Sequence, residues 1–312
     1  MIYNCGNGIF AVDAHYKSER NTAVYIIKDG SKAAIVDTAS NVSLPYVLAA
    51  MKELAIEKKD ILYIFLTHVH LDHAGGAGLY MKEFPAATLV VHSRGVRHMI
   101  APGKLIASVK SVYGEAEYKK LYGEITPVDP ERIISAGDGY EFCVGERHIK
   151  CLYTPGHAKH HLSYLDVKSA SVFAGDSFGT SYPEMQTLNG RWVIPSTSPV
   201  QFNPEDMHKS IDYTMSFNPE HIYLAHFGEL TGFRQAVNAL HQDIDTFVKY
   251  AEAVGGIKTF TEAKVRDFFI RKAMLHGIEK PQTFVDFYCA HLTDLNAQGL
   301  NVWYKSRDRK FY

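Results

Sequence analysis

The chain has 312 residues, 46% hydrophobic and 21% charged, a composition that can build a core and excludes a mainly disordered protein. The 33 Lys and Arg are balanced by 34 Asp and Glu, so a net charge of −1 gives no electrostatic drive toward nucleic acid. Four cysteines without a C-x-x-C pair fit a reducing compartment, and no apolar run approaches the ~18 residues of a membrane-spanning helix.

The first third reads as short strands broken by turns. Residues 8–14, 22–28 and 33–39 are rich in β-branched and aromatic side chains, and Lys28-Asp29-Gly30-Ser31 joins the second pair. Residues 44–55 have helical periodicity, and 61–67 is apolar on both faces, as a strand covered on two sides would be. Further strands are expected at 88–92, 140–154, 161–166, 171–176 and 221–226, with a Tyr-bearing helical segment over 103–125. Residues 177–204 read as a long loop rich in Pro, Ser and Thr, followed by a helix over 204–217 with Pro at its first turn. From Phe233 onward the pattern is helical. The reading is therefore α/β (α+β), with a strand-rich catalytic domain over 1–232 and a helical extension over 233–312.

The chain carries 16 histidines, and their positions are informative. The strand at 61–67 runs into Thr67-His68-Val69-His70-Leu71-Asp72-His73, which is H-x-H-x-D-H at a strand-to-helix turn. Borderline divalent metals take imidazole and carboxylate together. His68 and His70 project to one side of an extended segment, and Asp72 and His73 approach from another direction once the chain turns. Two such pairs suit two neighbouring ions. Three later strands each end in one ligand-type residue: His157 in Thr154-Pro155-Gly156-His157, Asp176 after 171–175, and His226 after 221–225. Any one of these alone reads most simply as structural. Together with the cluster they read as a site at the strand ends of a sheet.

These residues resemble the hallmark of the metallo-β-lactamase-fold hydrolase superfamily, H-x-H-x-D-H followed by a later His, Asp and His. The resemblance covers about 1–232 and includes the strand-ending Asp37. It implies an αββα sandwich with the site at one edge and two divalent metal ions, zinc or iron, with manganese also fitting the donors. By the resemblance His68, His70 and His157 hold one ion, Asp72, His73 and His226 the other, and Asp176 bridges. A metal-bridging hydroxide would then be the nucleophile, with Asp72 orienting it or moving its proton. Asp37 and His161 are expected to support ligands from behind.

Within the superfamily, flavodiiron-type oxygen reductases carry Glu where His70 stands, which favours hydrolysis here. Class B β-lactamases are usually exported, and the opening residues show no basic-then-apolar leader, so a cytoplasmic enzyme is expected. Glyoxalase II is closer: TPGHAKHH at 154–161 matches its T-P-G-H-T-x-G-H pattern at Thr154 through His157 and again at His161, while His160 replaces a glycine. The stretch after its bridging Asp is not matched. The expected function is hydrolysis of a small ester, thioester, lactone or phosphodiester. A di-iron protein that binds or reduces oxygen, and a non-catalytic metal-containing ligand sensor, are the alternatives. The partner expected is a small-molecule substrate, with no nucleic acid and no membrane. Tyr182 and Trp192 are candidate substrate contacts, beside Tyr113, Tyr118 and Tyr122. Phe268, Phe269, Phe284, Phe287 and Tyr288 are expected mostly in the core, with some in a homodimer interface.

Overall fold

The computed structural model describes residues 1–197 and 200–307, and the chain divides into two compact units that alternate along the sequence. The first comprises Met1–Tyr153, His160–Gly175 and Phe217–Glu229. The second comprises Thr154–Lys159, Asp176–Ser216 and the chain from Leu230 onward.

The first unit holds two sheets. In one, β1 (Ile2–Asn4), β2 (Ile9–Asp13), β3 (Ala23–Asp29), β4 (Lys32–Val36), β5 (Ile61–Phe65), β6 (Thr88–His92) and β7 (Ile133–Ala136) lie in chain order. Pairing is antiparallel from β1 to β4 and parallel from β4 to β7. The other sheet contains β8 (Glu141–Val144), β9 (Arg147–Tyr153), β10 (Leu162–Asp166) and β11 (Ser171–Gly175). Beyond a small hairpin of the second unit, β12 (Gln186–Thr187) with β13 (Gly190–Arg191), the chain returns to this sheet. It adds β14 (His221–Leu224) parallel to β11, and β15 (Gly228–Glu229) on the edge.

Alternation along the first sheet builds two cores. Ile9, Ala11, Tyr25, Ile27, Val36, Phe65 and Val90 meet Phe142, Ile149, Leu162, Tyr164, Phe173 and Tyr223 of the second sheet. Val12, Val24, Ile26, Ile35, Ile64, Leu89 and Val91 point the other way, into a core shared with helices. Each large apolar side chain buried this way contributes about 1.5–3 kcal/mol. The helices are α1 (Leu44–Glu53), α2 (Leu71–Ala74), α3 (Ala77–Glu83), α4 (Ser93–Ile100), α5 (Gly103–Tyr113) and α6 (Glu115–Tyr122). The single helical segment expected over 103–125 is two helices, because Gly114 adopts φ +80° and breaks the hydrogen-bond ladder. Tyr118 and Tyr122 are buried in the helix-side core, and the Tyr122 hydroxyl lies 2.5 Å from that of Tyr16.

The second unit contains α7 (Pro204–Ser216), α8 (Phe233–Ala253), α9 (Lys258–Leu275), α10 (Pro281–Phe284) and α11 (Ala290–Arg307), the last two joined by a π turn over Val285–Cys289. Phe247, Phe268 and Phe269 form an aromatic cluster between α8 and α9, with Phe247 and Phe268 edge to face. Of the expected core aromatics, Phe287 and Tyr288 are instead exposed; Val285 and Cys289, one turn apart across the π turn, face inward in their place. Among the described residues no helix is long and apolar enough to cross a membrane.

Candidate metal centre

The site begins where two parallel neighbours end. β4 delivers Asp37, buried and with φ +58°, a conformation that Asp tolerates better than most residues. β5 delivers Thr67 and His68, both buried. The Asp37 carboxylate accepts hydrogen bonds from the Thr67 amide (2.8 Å) and from the Thr67 hydroxyl (2.8 and 3.0 Å to its two oxygens). The Thr67 Oγ1 lies 3.1 Å from His68 Nδ1, so a proton on that nitrogen points back at the threonine and Nε2 is left as the donor. His68 Nε2 and His70 Nδ1 are 3.0 Å apart.

The turn of α2 places the next pair. His73 is fully buried, and its Nδ1 lies 3.1 Å from Asp37 Oδ2. His226, after β14, has its Nδ1 3.0 Å from the Asn21 carbonyl and 3.2 Å from the Thr22 hydroxyl. Both rings therefore turn Nε2 the other way, and each Nε2 lies 3.7 Å from Asp72 Oδ2. Burial raises the Asp72 pKa, but the neighbouring His73, His226, His70 and Lys17 charges overcome it and hold the carboxyl well below the usual carboxylate range. Asp72 is thus ionised at neutral pH.

In the second unit His157 and Asp176 are both buried, with His157 Nε2 3.6 Å from Asp176 Oδ2. Ser196 orients them: its carbonyl lies 3.0 Å from His157 Nδ1, and its hydroxyl lies 3.1 Å from that nitrogen and donates to Asp176 Oδ2 at 3.3 Å. In this unit too the histidine keeps Nε2 for a ligand.

The donor set fits divalent ions. Separations of 3.6–3.7 Å are too long for hydrogen bonds, yet they match two donors about 2.1 Å from a tetrahedral ion, roughly 3.4 Å apart. Asp72, His73 and His226 each offer a ligand atom within 4.8 Å of the others. The oxygen behind His68, His73, His157 and His226, from a carboxylate, hydroxyl or carbonyl, is the usual partner of a metal-binding histidine.

The other predicted residues are placed as follows. His161 is buried with its ring centroid 5.1 Å from that of His68, and His160 Nδ1 lies 3.4 Å from the Val69 amide. Gly175 permits the His161 position, since a Cβ there would lie 2.4 Å from His161 Nε2. Tyr182 and Trp192 are both buried, Trp192 against Phe269, His276 and Phe284 of the helices that follow. Sequence reasoning missed Thr67, Ser196, Asn21 and Thr22. Thr67 had a signal, standing between a buried strand and the first histidine; the others act through backbone or from distant loops.

A family model of the metallo-beta-lactamase superfamily matches residues 18–226, more than half of the chain. The chain belongs to the metallo-beta-lactamase superfamily. One relative in it is a metallo-beta-lactamase fold-containing protein of Sulfurisphaera tokodaii, ST1585, 32% identical over 171 residues. That match spans 53% of this chain and 60% of the relative, less than two thirds of its length. A hydroxyacylglutathione hydrolase of Cyanothece is 26% identical over 277 residues, 78% of this chain and 93% of that protein. Among solved structures, the metallo-beta-lactamase family protein TTHA1429 of Thermus thermophilus superposes with a TM-score of 0.63, covering 97% of this chain and 94% of that one at 17% identity, which shows the shared α/β fold. Relatives in the superfamily are thus named as hydrolases, and this chain has a cluster of His and Asp that could bind metal.

Proposed function

We propose that the protein is a hydrolase dependent on two divalent ions, acting on a small acyl ester or thioester. His68, His70 and His157 are assigned to one ion, Asp72, His73 and His226 to the other, and Asp176 to both. The observation that carries this reading is the convergence of two Nε2 atoms on an ionised Asp72 carboxylate, with the far nitrogen of each ring at an oxygen: Asp37 for His73, and Asn21 and Thr22 for His226. Ions held by these donors would supply water activation near neutral pH and polarise the scissile carbonyl.

The chain's own residues do the remaining work. Asp37, through Thr67 and directly, fixes the tautomers of His68 and His73, so both rings present lone pairs without rearranging. The ionised Asp72 carboxylate would accept a hydrogen bond from the attacking water and orient it toward the acyl carbon. Similarity to a hydroxyacylglutathione hydrolase over most of that protein supports an acylated thiol as the substrate class.

The test combines metal content with turnover. Protein purified without added metal or chelator is expected to hold close to two ions per chain and to hydrolyse at least one member of a panel of acyl thioesters and aryl esters. Asp72→Ala is expected to lower kcat by about 10²-fold or more. A fully loaded protein inert on the whole panel, or a chain holding under half an ion even after metal is added, would overturn the reading. Iron with an oxygen-dependent spectrum and no hydrolysis would favour the di-iron alternative.

A further inference from the structure

Away from these residues, the second unit brings two histidines and two aspartates together across α7 and α8. Each helix contributes one His and, four residues on, one Asp: His208 and Asp212 from α7, His241 and Asp245 from α8. Residues four apart lie on one helical face. The pairing crosses between the helices: His208 Nε2 lies 3.1 Å from Asp245 Oδ1, and His241 Nε2 lies 3.2 Å from Asp212 Oδ1. The ring centroids are 4.9 Å apart with an interplanar angle of 12°, and the rings meet edge to edge, their Nδ1 atoms facing each other at a hydrogen-bond distance of 2.6 Å.

We propose that His208 and His241 form a surface site for a borderline divalent transition-metal ion, bound through their two Nδ1 atoms and held in posture by Asp245 and Asp212. Carboxylates beside the far nitrogen of both rings turn the two Nδ1 atoms toward each other, and an ion would take the place of the proton that joins them at 2.6 Å. A carboxylate on the outer nitrogen is the arrangement that orients a histidine and strengthens it as a ligand. Two imidazoles select zinc, nickel or copper over calcium or magnesium.

The geometry also states what binding requires. Bonds of about 2.0–2.1 Å need the two nitrogens roughly 3.3 Å apart and angled at the ion, so the rings must part by less than ~1 Å and tilt off their head-on line. Both side chains are about one-quarter exposed, which leaves room for that swing and for water to complete the coordination. Of the cations on the neighbouring helices, Lys272 of α9 pairs with Asp243, Lys258 with Asp294, and Arg307 with Glu252.

The experiment uses the full chain already loaded with its own ions and titrates it with nickel chloride or zinc chloride by calorimetry. The wild type is expected to bind one further equivalent, weakened tenfold or more in His208→Gln and in His241→Gln. Asp212→Asn with Asp245→Asn should weaken it to a smaller degree. These variants are expected to keep the turnover and metal content of the loaded protein. As a readout independent of variant folding, nickel should selectively broaden the ring signals of two of the wild-type histidines. No further equivalent in the wild type, meaning that the facing nitrogens hold only a proton, would overturn the proposal. So would an equivalent unchanged in both His→Gln variants.

Discussion

Asp37 Oδ2 lies 3.1 Å from His73 Nδ1, while the same carboxylate takes the Thr67 hydroxyl that backs His68. One buried carboxylate therefore sets two proposed ligands at once. Asp37→Asn keeps an oxygen for the Thr67 amide but can turn only an amide N–H or one oxygen toward the remaining partners. Ion affinity is expected to fall about 10–100-fold. Competition against a chromophoric chelator measures it; an unchanged affinity would mean that Asp37 serves the fold alone.

Gly175 tests how tightly the layer behind the histidines is packed. In Gly175→Ala the new methyl carbon would sit 2.4 Å from His161 Nε2, on a backbone with φ +52°. Overpacking of this kind costs about 1–3 kcal/mol, and the strained φ adds to it. A lowered melting temperature together with reduced ion content is the expected outcome. A stable variant with full ion content would show that His161 can move without consequence.

Removing one proposed ligand should separate the two ions. His226→Ala is expected to reduce ion content from two per chain toward one, with the remaining ion bound nearly as before. Elemental analysis of wild type and variant side by side decides this. Loss of both ions, or of neither, would contradict the assignment of His226 to one ion only. Chelation of the wild type should also lower its melting temperature, since an ion at 100 times its Kd stabilises by about 2.7 kcal/mol.

Asp243 gives a pH dependence away from the site. It is buried between α8 and α9, 2.7 Å from the Lys272 ammonium, and burial raises its carboxyl to about 6 against the partial opposition of that lysine. The folded chain thus binds this proton more tightly than the unfolded chain. Its contribution to stability is present below the ordinary carboxylate value of ~4 and is lost as pH rises through about 6, with a ceiling near 3 kcal/mol. Melting curves between pH 4 and 8 should show that decline in the wild type and lack it in Asp243→Asn. The same slope in both would assign it elsewhere.

The candidate His and Asp cluster was legible because four residues able to donate to a metal fall within six positions at the end of an apolar strand. The central strands were legible for a related reason: β5, and β4 after Lys32, run as unbroken apolar segments, as strands covered on both faces do. β1 and β7 were not, since Ile2–Asn4 is only three residues long and Ile133–Ala136 lies on a sheet edge where the alternation is weak. Ser196 could not be found from sequence, because its carbonyl contributes as much as its side chain and any residue supplies a carbonyl. Trp192 stood out as an aromatic residue in a loop. Its contacts with Phe269, His276 and Phe284 are those of a core residue of the second unit, and a substrate contact there is a question for Trp192→Phe kinetics.

The parallel pairing of β11 with β14 bears on how the chain is made. The two strands are separated by more than forty residues of the other unit, and Val172 and Phe173 meet Ile222 and Tyr223 only after that stretch has been synthesised. Until then the β11 edge, fully buried in the finished protein, is an open apolar template for another chain. A nascent chain halted short of His221 should therefore be prone to aggregate or to be held by chaperones, and release should follow emergence of the last parallel strand.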